Sequence, residues 1–411
     1  MSAALPLPTS ALLRHPSFAL YWGSRILSVA ASHMLAVAIG WQLYALTGSA
    51  LDLGLIGLVQ FVPTIGLTLV VGQVADRFDR RAIVGVCYVA QVVATAALGL
   101  GTLQGWLSRD GILALVALLG AARAFENPAR AALVPRLVPA DQIPRAIASV
   151  TSAGQTARIV GPALGGVLYG FGPTTVYGIV AGLYLVSAAL VAAIRDTGGA
   201  RAREAITPAS LFSGVGFILS RRVLLGALSL DLFAVLLGGA TALLPIYARD
   251  ILGTGPWGLG LLRAAPATGA LAISLALARR GVEYQAGPLL FGGVLVFGVA
   301  TIVFGVSTSL PLALAALVVL GASDLLSVVI RHSLVQVRTP DAMRGRVSAV
   351  HSLFTGTSNQ LGEFESGLLA ALLGPVAAVL IGGVGTIAVA ALWMARFPEL
   401  RRFRLVESRP Y

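Results

Sequence analysis

The sequence contains no lysine; all 29 basic residues are arginine. That excludes the lysine of a phosphate-binding loop, and with it an ATP-driven machine carrying its own nucleotide domain. It also excludes lysine Schiff-base chemistry. There is one cysteine, Cys87, so neither an intrachain disulfide nor a cysteine-only metal site is available. The four histidines, His15, His33, His332 and His351, are scattered. No Ser-His-Asp, metal-ligand or phosphate-loop spacing is present, so no cofactor, no metal and no enzymatic reaction are expected. Charge itself is scarce. Charged residues make up 11% of the chain, whereas soluble domains carry roughly 25%. A soluble protein of 411 residues could not cover its surface with so few.

What the chain has instead is apolar length. Hydrophobic residues are 57% of the total and come in long blocks. A helix crossing a bilayer needs ~20 such residues. Twelve blocks qualify, near 18–46, 53–75, 82–103, 111–128, 147–170, 173–194, 223–247, 257–278, 286–307, 311–330, 347–372 and 376–395, here called spans 1 to 12. The 48 glycines suit membrane helices, where small residues let backbones approach. Residues 1–17 lack the basic start, short apolar core and small-residue cleavage site of a signal peptide.

The sequence repeats itself at an offset of 201 residues. Arg130 matches Arg331, Leu133-Val134 match Leu334-Val335, Pro139 matches Pro340, Arg145 matches Arg346, Gly161 matches Gly362 and Gly166 matches Gly367. Both copies sit in a short loop after an even-numbered span. A duplicated six-span unit in parallel orientation accounts for this. The expected fold is therefore an all-α membrane protein, twelve transmembrane helices in two pseudo-symmetric six-helix bundles. The first bundle would occupy 1–194, a cytoplasmic linker 195–222 and the second bundle 223–411. Thr207-Pro208 reads as a helix cap followed by proline in the first turn. An interfacial helix is expected there before span 7.

The net charge of +12 invites a nucleic-acid reading, which the positions of the arginines oppose. With the N-terminus inside, 23 arginines fall on cytoplasmic segments, counting Arg130 and Arg331 as boundary residues. Two, Arg109 and Arg249, fall outside, and four, Arg25, Arg123, Arg158 and Arg263, fall in the hydrophobic core. This is the positive-inside pattern of a multi-pass inner-membrane protein with both termini cytoplasmic. The bilayer, with its anionic lipid, is the partner this charge implies, not nucleic acid.

Ionisable groups inside a bilayer are costly and usually face a cavity or a partner. Spans 1, 4 and 5 hold Arg25, His33, Arg123, Glu126 and Arg158. Spans 7, 8, 10 and 11 hold Asp231, Arg263, Asp324, Glu363 and Glu365. Spans 3, 6, 9 and 12 have none, as expected if every third helix faces lipid. The first half is net positive in its core and the second net negative. Arg25, His33, Arg123, Glu126 and Asn359 are candidate cavity residues. Asp231, Asp324, Glu363 and Glu365 are candidate proton carriers, since a desolvated carboxylate holds its proton more tightly. Glu363 and Glu365 point ~200° apart on one helix, so at most one lines a cavity.

Several segments carry a family resemblance. After span 2 comes Gly72-Gln73-Val74-Ala75-Asp76-Arg77-Phe78-Asp79-Arg80-Arg81, which resembles the loop signature of the major facilitator superfamily. It departs in having Asp79 where glycine is usual, and no convincing second copy follows span 8. The resemblance implies a cytoplasmic latch of Gly72, Asp76, Arg77, Arg80 and Arg81, with Asp76 capping span 11, whose start is expected near Arg346. Span 5 carries Gly161-Pro162-Ala163-Leu164-Gly165-Gly166, similar to the antiporter signature of the same superfamily. Together with Arg158 it suggests a kinked helix sealing against the small-residue face of span 8 around Ala267. The segments 127–135, 157–162 and 359–367 resemble the enterobactin-exporter-like branch of drug and siderophore efflux proteins.

The expected function is a secondary active transporter, monomeric, exporting a small drug-like or siderophore-like molecule by proton antiport. Uptake, or a non-transporting receptor with the same fold, are the alternatives.

Overall fold

The computed structural model describes residues 12–67, 70, 71, 74, 77–195, 208–280 and 286–403. Its elements are helical. Span 1 is Pro16–Thr47, span 2 begins with Ala50–Gly66, span 3 is Arg80–Leu103, span 4 Arg109–Leu133, span 5 Ile143–Tyr169 and span 6 Pro173–Ala192. The linker helix is Pro208–Ser220. Span 7 starts as Arg222–Leu237, span 8 is Gly255–Arg280, span 9 Ala286–Val306, span 10 Leu310–Arg338, span 11 Asp341–Leu373 and span 12 Pro375–Arg396. Nine of these stretches are both long and apolar enough to cross a membrane by composition alone. Spans 2, 5 and 11 fall short of that criterion, span 2 by length and the other two by their polar residues.

Local chemistry sets the helix ends. Asp79, unexpected in the loop signature, is the N-cap of span 3, its carboxylate accepting the Arg81 N–H at 3.0 Å. Ser108 does the same for span 4, accepting from Gly111 N at 3.2 Å. Such caps satisfy amide groups that have no partner within the helix. The turns into spans 6 and 12 are both Gly-Pro, with Gly172 at φ 102° and Gly374 at φ 90°. Only glycine adopts that backbone readily, and proline then opens the helix. Two expected boundaries move. Span 11 begins at Asp341, not near Arg346. Span 10 runs on to Arg338, because Arg331, His332 and Arg338 continue the helix rather than forming a loop.

Contacts divide the chain into two compact units, Met1–Ile39 with Val62–Ala205, and Gly40–Phe61 with Ile206–Tyr411. The end of span 1 and the start of span 2 thus group with the helices of the second half, so contact units and sequence halves are different divisions. Glycine is the reason. A Cβ at Gly54 would lie 2.9 Å from Gly367 Cα, and one at Gly57 would lie 2.6 Å from Gln360 O. The span 2 backbone rests directly on span 11.

In the first unit, spans 3, 4 and 6 pack together. Spans 1 and 6 exchange hydrogen bonds, Ser24 Oγ to Ser187 O at 3.1 Å and Ser187 Oγ to Ser24 O at 3.3 Å. Tyr88, Tyr177 and Tyr184 fill the interior. In the second unit, spans 8, 9, 10 and 12 and spans 7, 11 and 12 form the packed layers. The linker helix joins the core through Ile218, and the segment after span 12 joins through Leu400 and Phe403. Phe403 O accepts the Gly287 N–H at 3.0 Å. The uncharged spans present exposed Val86, Val89 and Val93 on span 3, and Val296, Val299 and Val384 on spans 9 and 12. Such faces are costly in water and suited to lipid.

Candidate functional site

The glycine signature of span 5 fixes how the first unit is built. A Cβ at Gly161 would lie 2.9 Å from Ala30 O and 3.1 Å from His33 Cβ, and one at Gly165 would lie 2.9 Å from Met34 Cα. Span 5 therefore lays this face on span 1. Pro162 and Gly166 are buried with it. The small-residue run of span 8 is also used inside its own unit, where Gly269 meets the Val318 carbonyl and Gly321 meets the Pro266 backbone on spans 10 and 8. The duplicate of Gly161 behaves alike. A Cβ at Gly362 would lie 2.8 Å from the carbonyls of Val235 and Leu236, so span 11 rests on span 7 as span 5 rests on span 1.

Each unit buries a carboxylate–arginine pair. In the first, Arg130 Nη1 lies 2.5 Å from Glu126 Oε1, one turn away on span 4. Its Nη2 donates to Asn127 Oδ1 at 2.9 Å. The other Glu126 oxygen accepts from Gln91 Nε2 of span 3 at 2.8 Å, and Tyr21 OH of span 1 donates to Arg130 O at 3.3 Å. Arg25 stands within electrostatic reach of both Arg130 and Glu126, and Arg158, exposed on span 5, within reach of Arg130. Arg123 and Glu126 both stand within electrostatic reach of Tyr184. The expected cavity residues Arg25, Arg123 and Glu126 thus share one neighbourhood, with His33 on the span 1 face covered by span 5.

In the second unit, Arg331 Nη2 of span 10 lies 2.7 Å from Asp231 Oδ1 of span 7, both side chains almost fully buried. Thr355 Oγ1 of span 11 donates to Asp231 Oδ2 at 3.3 Å. Asp324, two turns before Arg331 on the same helix, is attracted by that guanidinium and repelled by Asp231. His332 and His351 meet near the pair, their rings tilted by 52° with centroids 4.9 Å apart. No cluster of three metal-ligand side chains forms among the described residues. The sequence places Arg331 at the boundary of span 10. Its match to Arg130 and its seven-residue spacing from Asp324 were the signals that could have moved it inward. Thr355 and Gln91 carried none.

The remaining candidates separate. Glu363 lies against span 2, where a Cβ at Gly57 would stand 3.0 Å from its Oε2. Glu365 accepts from its neighbour Ser366 at 3.4 Å, and Asn359 is exposed, donating to Thr355 O at 2.9 Å. Of the latch, Gly72 and Asp76 lie outside the described residues. Arg77 is exposed, Arg80 opens span 3, and Arg81 donates through Nη1 to Ile194 O at the end of span 6.

Span-length helices stacked through glycine, with a charge pair buried at the duplicated position of each half, define a membrane transporter. Residues 8–410 match the family model described as transmembrane secretion effector, and the chain belongs to that family of the major facilitator superfamily. Its members are transporters, not enzymes. The enterobactin exporter EntS of Citrobacter koseri is 27% identical over 418 residues, covering 97% of this chain and 96% of the relative. EntS of Escherichia coli O1:K1 is 25% identical over 413 residues, with the same coverage. Among solved structures, a mutant of the nucleoside transporter NupG aligns with a TM-score of 0.75 at 11% identity, over 93% of this chain and 100% of that one. A bacterial homologue of the lysosomal transporter Spinster, inward-facing and occupied, aligns with a TM-score of 0.74 at 14% identity, over 98% and 99%. These likenesses show the major facilitator fold.

Proposed function

We propose that this protein exports a small molecule across a bacterial inner membrane, driven by protons moving the other way. The observation that carries the coupling is the buried cluster of Asp231, Asp324 and Arg331. Asp231 pairs with the Arg331 guanidinium, and Asp324 lies within electrostatic reach of both. With both ionised, the cluster holds a net negative charge where solvation is poor, and one proton neutralises it. Asp231 is committed to Arg331, so Asp324 is the carboxylate that takes and returns the proton. Because Asp231, Arg331 and Thr355 come from spans 7, 10 and 11, a change of charge there acts on three helices at once.

Export is the direction supported by full-length similarity to EntS, an enterobactin exporter. The arginine distribution supports cytoplasmic termini. The resemblance of the loop after span 2 implies a latch role for Asp76, as an anion accepting hydrogen bonds from a helix N-terminus, where the dipole favours negative charge. The Asp76→Asn protein should insert and fold yet cycle poorly, having lost a charge-assisted hydrogen bond. Transport by this variant at the wild-type rate and expression level would remove the latch from the account. The broader test is a substrate screen in a strain stripped of its own exporters, followed by reconstitution. Cargo-dependent proton flux in proteoliposomes is expected; cargo flux with no accompanying proton movement would end the antiport reading.

A further inference from the structure

The far end of span 7 carries a charged pair that the proton cluster does not use. Arg249 is one of two arginines that the charge pattern puts outside the membrane, the side on which arginine is disfavoured. At the 201-residue offset Arg249 and Asp250 fall on Gly48 and Ser49, so the first half has no matching charges. The pair sits on a π-helical turn, Tyr247–Ile251, in which Leu252 N–H donates to Tyr247 O at 2.8 Å. Tyr247 anchors the turn. Its hydroxyl donates to Gly305 O of span 9 at 2.9 Å, and its ring centre lies 4.4 Å from that of Phe304. Thr254 closes it, N–H and hydroxyl both donating to Ala248 O, at 2.8 and 3.2 Å. Adjacent residues on an α-helix point in different directions. On this wider turn Arg249 and Asp250 both reach Tyr44 of span 1. The Tyr44 hydroxyl donates to Asp250 Oδ2. Arg249 Nη1 donates to Tyr44 O at 3.3 Å, and its guanidinium carbon lies 5.4 Å from the centre of the Tyr44 ring. Arg249 Nε and Asp250 Oδ1 are 3.7 Å apart.

Resting on the transporter reading above, we propose that Tyr44, Arg249 and Asp250 form an outer clasp, which holds the end of span 1 on span 7 and is released when the transporter opens outward. Tyr44 is gripped through three of its parts, hydroxyl, ring face and backbone carbonyl, by two residues that also hold each other. The part of span 1 so held begins at Gly40, where the helix passes into the second contact unit. The clasp is built to let go. The Arg249 and Asp250 side chains keep 44% and 47% of their exposure, so water screens each contact and takes over its polar groups on release. Each contact alone holds weakly; the three together favour the closed arrangement.

The test reads the distance between the two outer helix ends. In a Cys87→Ala background, spin labels are placed at Leu46 on span 1 and Trp257 on span 8, both exposed. Electron–electron double resonance is recorded on the purified full-length protein in detergent, without cargo, with size exclusion and thermal unfolding confirming the fold of each variant. A short distance should dominate in the protein with the clasp intact. Tyr44→Phe, which keeps the ring and loses the hydroxyl, should raise the long-distance population about three- to tenfold, as should Asp250→Asn. Arg249→Gln, which loses the ring, carbonyl and carboxylate contacts together, should raise it further. Because the groups act as one unit, Tyr44→Phe should add little in the Asp250→Asn background. Unchanged distances in the folded variants, full additivity of Tyr44→Phe and Asp250→Asn, or a long distance dominating with the clasp intact would overturn the proposal. The measurement uses neither cargo nor a proton gradient, so its failure leaves export by proton antiport standing, and a failure of cargo or proton flux leaves this result standing.

Discussion

Arg130 and Arg331 fall in register at the 201-residue offset, and they form different pairs. Arg130 pairs with Glu126 on its own helix, and its side chain keeps 17% of its exposure. Arg331 pairs across to another helix, and its side chain keeps 3%. A pair within one helix survives when that helix moves as a body, so its charges report little about helix arrangement. A pair between spans 10 and 7, supported by Thr355 on span 11, is made or broken by that arrangement. The first unit links its helices through the neutral amide of Gln91, the second through charge. Arg130 thus marks a pair held within one helix, and Arg331 a pair that depends on how two helices are arranged.

The largest expected effect comes from removing the interhelical partner. Asp231→Ala leaves Arg331 buried and uncompensated, which costs about 3–5 kcal/mol. Thermal unfolding in detergent should show this, and should show a smaller loss for Glu126→Ala, because Arg130 can turn toward solvent. The reverse order would break the comparison. Next come the matched glycines. Gly161→Leu and Gly362→Leu each force a side chain against a neighbouring backbone, an overpacking of about 1–3 kcal/mol. Similar losses in the two would sharpen the case that spans 5 and 11 dock alike. No loss at either would mean that the helices separate readily at these points. The smallest effect is expected at Thr355. Thr355→Val removes one hydrogen bond to Asp231, worth about 0.5–1.5 kcal/mol, and a loss as large as that of Asp231→Ala would give Thr355 a role beyond supporting the carboxylate.

Much of the fold was legible because the bilayer demands long apolar helices, and Arg130 and Arg331 fell in register at half the chain. The Gly-Pro turns at 172 and 374 follow from residue chemistry alone. The pairing of helix faces was less legible. Gly165 reads as a flat face from its sequence, but nothing local says whether span 1 or span 8 fills it. Asp231 and Asp324 could be named as costly residues, yet Arg331, the partner of Asp231, lies outside the apolar block of span 10. A hydropathy reading stops at the first run of arginine and histidine, whereas the helix continues to Arg338 because burial against Asp231 compensates Arg331. Gly57 gave no sign that a charged side chain would be seated against it.

The central claim is that the Asp231–Asp324–Arg331 cluster couples export to proton movement, with Asp324 as the carrier. Reconstituted Asp324→Asn protein, given the cargo found by the screen, tests it most directly. An imposed pH gradient should drive no uphill export in this variant, while exchange of labelled cargo between the two sides of the membrane continues. Uphill accumulation equal to that of the wild type would contradict the account and pass the role of proton carrier to another carboxylate.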